Sequence, residues 1–167
     1  MTTTAQNVIG DQKRELLRHA LATVAYRAGK AIRGASPEFA DFSVAEGTRT
    51  PVKILAHMGD LMDWALLMAR GKEVWTDSTP LPWAHETHRF FAALQAFDNY
   101  LGSAEPLAVA PERLFQGAIA DALTHIGQIA MLRRIAGAPL KGENFSRAEI
   151  VAGRVGPEQT PPGGSSE

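Results

Sequence analysis

From Pro111 to Ala136 apolar residues recur at three- and four-residue spacing, through Leu114, Phe115, Ala118, Ala122, Ile129 and Leu132. That period predicts one α-helix over the whole run. The run holds 26 residues, which at the helical rise is about 39 Å, enough to traverse a bundle. Such a helix has a broad apolar stripe that needs neighbours of the same kind, so the other helical runs of the chain become its expected partners.

Three such runs precede it. Leu16, Leu17, Ala20, Leu21, Val24, Ala25 and Ala28 define a first helix over Asp11–Arg33. Thr50-Pro51 opens a second, the threonine expected to cap free amides and the proline to take the first helical position. Its face is Ile54, Leu55, Met58, Leu61, Met62, Ala65 and Met68, and Gly71 stops it. A third starts near Pro82 and runs through Phe90, Phe91, Leu94, Phe97 and Leu101 to Gly102. The connection Gly34–Gly47 is long for neighbouring antiparallel helices. It is expected to cross along the bundle and leave the first two helices parallel. Ser146-Arg147-Ala148-Glu149 has capping-box form and predicts a short helix over Arg147–Ala152. The fold expected is all-α, one domain over residues 1–152, with residues 153–167, rich in Pro, Gly and Ser, as a flexible tail.

Composition removes several kinds of chemistry. The 167 residues are 45% hydrophobic and contain no cysteine, so disulfides, thiolate metal sites and cysteine nucleophiles are all excluded. Lys and Arg number 17 against 18 Asp and Glu, a net charge of -1. Nothing in that balance, or in the scattered basic residues, points to nucleic acid or anionic lipid. No segment approaches 18 uninterrupted apolar residues, and the first residues lack a signal-peptide pattern, so a cytoplasmic protein is expected.

The chemistry that remains belongs to histidines and carboxylates. Asp121 and His125 are four apart in the last helix and project from one face, one turn apart. A carboxylate and an imidazole so placed are two ligands for one divalent cation if a third donor arrives from another helix, and His57 on the second helix is the best candidate. Asp121 is the oddity of its stripe, because aspartate forms helix poorly and is expensive to bury without a partner. A cation, a histidine, or Arg133 at another level would each supply one. His57 has an alternative too, a hydrogen bond to Asp60 with its ring packed. Trp64 lies one turn beyond Asp60, and Gln128 one turn beyond His125, where it either orients a ligand or bridges helices. His85 and His88 form a rival pair in the solvated first turns of the third helix, and His19 reads as a packing residue.

Two stretches, TPVKILAHMGDLMDWALLMARG and DALTHIGQIAMLRRIAGAPLKGENF, together with four helices, resemble the DinB/YfiT-like superfamily of metalloenzymes. The resemblance spans about Asp11 to Val151 and rests on a histidine of helix two combined with the H-x-x-Q element His125 to Gln128. It implies an up-up-down-down four-helix bundle, often a homodimer, holding a divalent metal (zinc, nickel, iron or manganese) through His57, His125 and the position of Asp121. The family more commonly has histidine at that last position. It further implies a small-molecule substrate and, from relatives that use mycothiol or bacillithiol, a low-molecular-weight thiol in an S-transferase or isomerase reaction. Asp60, Trp64 and Gln128 would then support the metal ligands or touch substrate. No residue is identified as catalytic, and a non-catalytic ligand- or metal-binding dimer with a degenerate site is the alternative.

Overall fold

A computed structural model describes residues 2–162, and among these the regular structure is entirely helical. Helix α1 is Thr2–Ile32, α2 is Pro51–Ala69 and α3 is Trp83–Leu101. Helix α4, Pro111–Leu114, passes through a π-helical turn, Phe115–Ile119, into α5, Ala120–Ile135. Short 3-10 turns lie at Pro37–Asp41 and Phe145–Arg147. Helix α1 starts well before Asp11: its first residues contain no proline, and nothing in them interrupts the helical backbone.

The apolar stripes meet in one core. Leu21, Val24, Leu55, Met58, Met62, Phe90, Leu94, Phe97, Leu114, Ile119 and Ile129 are fully buried in it. Removing either phenylalanine ring, Phe90 or Phe97, would cost about 3–5 kcal/mol. No helix of the described residues is long and apolar enough to cross a membrane.

Side-chain contacts fix the direction of each helix. Arg18 reaches Asp98 and Arg14 reaches the Leu101 carbonyl, so α1 and α3 run in opposite senses. Arg89 bonds the Ala56 carbonyl while Tyr100 reaches that of Ala69, so α2 and α3 run in the same sense. His57 faces Asp121 and Trp64 packs near Gly117, which sets α2 against α5. Lys13 pairs with Glu112 and Arg133 with the Ala31 carbonyl, so α1 and α5 are parallel. The expectation that α1 and α2 are parallel is therefore corrected, and the order is up-down-down-up. The segment that runs the length of the bundle is 70–82, between α2 and α3. It is extended, and it is tied down on the way by Ser78 N–H donating to Asp60 at 2.9 Å and Leu81 N–H donating to Glu86 at 2.8 Å. The longer connection, 33–50, uses its length in packing Phe39 against the bundle end instead of crossing it.

Helix ends follow the local chemistry with two exceptions. Beyond α2, Lys72 N–H bonds the Leu67 carbonyl and Gly71 N–H that of Met68. Beyond α5, Ala138 and Gly137 repeat the pattern on Arg133 and Arg134. Both are Schellman caps, and Gly71 and Gly137 carry the positive φ these require. Pro51 opens α2 as expected, but Thr50 makes no side-chain capping bond, and its hydroxyl is buried without a partner among the described residues. The predicted helix at Arg147–Ala152 is instead the 3-10 turn at Phe145–Arg147, capped by Asn144 accepting from Ser146 N–H. Asn144 takes the amide that a Ser146 cap would have left in place. The chain beyond Ala152 does not leave the bundle: Val155 is fully buried in the core and Gln159 packs near Gly29. One apolar side chain with a socket to fill outweighs the composition around it. Residues 163–167 of the expected tail lie outside the described residues.

Candidate metal centre

His57 reaches the site from the middle of α2, where Ile54, Leu55, Met58 and Leu61 turn the helix toward the core and leave the histidine at the edge of that stripe. Asp121 and His125 come from the first turns of α5, across from it. The three side chains converge, with one potential ligand atom from each lying within 4.8 Å of the others. His57 Nε2 is 3.5 Å from Asp121 Oδ2, and His125 Nε2 is 3.4 Å from Asp121 Oδ1.

Those distances bear on what holds the cluster together. A charge-assisted hydrogen bond between imidazole and carboxylate closes to about 2.7–2.9 Å. Ligand atoms around a tetrahedral cation with bonds of about 2.0–2.1 Å stand about 3.4 Å apart. Asp121 places one oxygen near the second spacing from each imidazole, Oδ2 toward His57 and Oδ1 toward His125. Donor type agrees, since two imidazoles and one carboxylate suit a borderline divalent metal and leave a coordination position free.

The His57 ring is shifted toward the form that ligates. Burial pushes the His57 imidazole below its ordinary value, and the neighbouring His125 and Arg49 charges push the same way, while Asp121 opposes them. A neutral ring presents a lone pair. His125 Nδ1 is 2.8 Å from Gln128 Oε1. With the amide oxygen accepting, Nδ1 carries the proton, and the lone pair is on Nε2, the atom that faces Asp121. His57 is further enclosed by Trp75, whose ring lies edge-on at 5.4 Å, and by His125 at 4.8 Å.

Asp121 does not point into the core as its stripe suggested. Its side chain is 44% exposed. In an unbroken α-helix from Leu114 the inward positions would include 121 and 125. The wider turn at Phe115–Ile119 adds a residue, and Ile119 and Ile126 join Ala118, Ala122, His125 and Ile129 among the buried positions. Asp121 moves to the rim and Phe115 becomes exposed. The rim position puts the carboxylate on the wall of an open depression of about 420 Å³, shared with Leu61, Trp64, Gln116 and Thr124.

The other expected participants separate. Trp64 lines that depression and meets Trp75 edge-on at 5.9 Å. Asp60 does not bond His57: it is buried and accepts from Arg89 and from Ser78 N–H, each at 2.9 Å. Arg133 takes no part, being spent on the carbonyls of Ala31, Arg33 and Ala138 at the end of α1 and α5. His19, His85 and His88 are exposed and belong to no such cluster among the described residues. Trp75 carries no motif that would mark it in the sequence, and its place beside His57 depends on the path of residues 70–82.

Comparisons with protein-family models, with curated protein sequences and with solved structures find no match to this chain.

Proposed function

We propose that this chain is a divalent-metal-dependent enzyme of the DinB-like kind, acting on a small molecule and using His57, Asp121 and His125 as metal ligands. The observation that carries the proposal is the convergence of His57, Asp121 and His125, with the two Asp121 oxygens 3.5 and 3.4 Å from the two imidazole nitrogens, near the spacing of co-ligands. A cation held there supplies Lewis acidity, which polarises a bound oxygen or keeps a thiol ionised at neutral pH. The chain's own groups do the rest. Gln128 fixes the His125 tautomer, burial keeps His57 neutral, and Trp75 shields His57 from water. The depression beside Asp121, with Trp64 on its wall, is where substrate would lie against the site. The resemblance to thiol-dependent transferases and isomerases makes a low-molecular-weight thiol the co-substrate we propose, in a cytoplasmic homodimer.

The exposure of Asp121 favours a second reading, a bundle that binds a ligand or metal without turnover, because a solvated carboxylate where relatives have histidine holds a cation less firmly. Elemental analysis of untagged protein separates these readings from a purely structural polar cluster. The enzyme reading expects about one equivalent of metal, its loss in His57→Ala and His125→Ala, and thiol-transfer activity that disappears with it. Metal retained without turnover across a panel of thiols and electrophiles favours the second reading. Protein free of metal, with Asp121→Asn as stable as the parent or more so, defeats the enzyme reading and favours a structural polar cluster.

A further inference from the structure

Helix α5 has a second face with chemistry of its own. Between α1, α5 and the segment that follows α5 lies a pocket of about 330 Å³. It is separate from the metal site, for His125 faces α2 while this pocket takes the α5 side chains that face α1. Its floor is apolar, with Leu123 and Ile126 from α5, and Phe145 closes one side. Four cationic side chains, Arg27, Lys30, Arg134 and Lys141, line it against one carboxylate, Glu143.

That carboxylate is already engaged. Glu143 accepts from Lys30 Nζ at 2.6 Å and from the Tyr26 hydroxyl. Arg27, Arg134 and Lys141 form no ion pair among the described residues. Arg27 is held in place, its guanidinium stacked 4.1 Å over the Phe145 ring. A guanidinium fixed in this way, beside two unneutralised cations and above an apolar floor, matches a ligand that is anionic at one end and apolar at the other.

We propose that this pocket binds a small amphipathic organic anion, its carboxylate or phosphate held by Arg27, Arg134 and Lys141 and its apolar part lying on Leu123, Ile126 and Phe145. The two head groups share the recognition chemistry. The volume is that of a small-molecule pocket.

The test is a fluorescence titration of the full chain with 8-anilinonaphthalene-1-sulfonate, competed by octanoate, octyl phosphate, octylamine and inorganic phosphate. One site per chain is expected, displaced by octanoate or octyl phosphate and weakened by salt. Arg27→Gln and Arg134→Gln should each lower the affinity about tenfold, the equivalent of about 1.4 kcal/mol, with metal content unchanged. Arg134 is exposed, so its variant should fold even if Arg27→Gln does not, and a thermal melt of each variant reports this. Absence of binding, or equal affinity in the parent and in Arg134→Gln, overturns the proposal. Displacement by octylamine as effective as by octanoate overturns it too, because charge would then play no part. So does displacement by inorganic phosphate as effective as by octyl phosphate, because the apolar floor would then be unused.

Discussion

Asp60 and Gln128 are both polar neighbours of a candidate metal ligand in the sequence, and their surroundings give them opposite tasks. Asp60 is buried and ionically tied to Arg89. Truncation leaves the guanidinium and Ser78 N–H without their acceptor, so Asp60→Ala should cost about 3 kcal/mol in urea denaturation and leave metal stoichiometry at the parent level. Gln128 is exposed, and among the described residues its side chain bonds His125 alone. Gln128→Leu should leave the denaturation midpoint nearly unchanged and weaken metal about 10–100-fold, the usual effect of losing the group that orients a ligating histidine. Competition with a chromogenic chelator measures it, and an unchanged affinity would remove Gln128 from the site. The sequence marked both residues but had no means of assigning them, because Asp60's partner lies 29 positions away on another helix.

At the scale of the helix, two glycines inside helical turns predict opposite responses to the same substitution. A Cβ at Gly59 would stand 2.8 Å from Arg89 Nη2, in the space the guanidinium needs to reach the Ala56 carbonyl at 2.6 Å and Asp60 at 2.9 Å. Gly59→Ala should therefore destabilise the protein by about 1–3 kcal/mol through lost charged hydrogen bonds, although alanine is the better helix former. At Gly117, in the π turn, the added Cβ meets the Trp64 ring at 3.5 Å, an ordinary contact. Gly117→Ala should stabilise by about 0.5–1 kcal/mol. Denaturant midpoints of the two variants, moving in opposite directions, check both. The period of the sequence located α2, α3 and the α4–α5 run to within a residue or two at most ends, since stripe, proline start and glycine stop are local signals. It missed the π turn, whose extra residue leaves no mark in composition, and with it the true facing of Asp121 and Phe115.

For the molecule as a whole, the network of Tyr26, Lys30 and Glu143 ties α1 to the chain beyond α5 and gives stability a pH dependence at both extremes. Burial, together with the hydrogen bond to Glu143, pushes the Tyr26 hydroxyl up to about 12. A raised value in the folded state means that stability is fully present below the ordinary tyrosine value near 10 and is lost as pH rises toward 12. Tyr26→Phe should flatten that alkaline loss in urea midpoints taken between pH 9 and 12. Burial alone would raise Glu143, but hydrogen bonds from Lys30 and Tyr26, and the Lys30 and Arg27 charges, hold it below the usual glutamate range. Its contribution is present above about 4.3 and falls away as pH drops below that. Glu143→Gln should accordingly be less stable than the parent at pH 7 and converge with it in acid.

What the sequence determined by itself was whatever depends on neighbours along the chain: four amphipathic helical runs, the proline and glycine signals at their ends, and the pairing of Asp121 with His125 one turn apart. It also marked His57 as the candidate third donor, on chemical type and on the family resemblance. Only the tertiary structure decided the rest. The sense of α2 relative to α1, the long crossing by residues 70–82, the seating of Val155 and the convergence of three donors within 4.8 Å all depend on side chains meeting across the bundle. Periodicity states which face of a helix is buried, and it carries no information about which end of the bundle the next helix starts from. That choice is settled by packing and by half-buried ion pairs such as Arg18 with Asp98 and Arg89 with Asp60, each joining residues far apart in the chain.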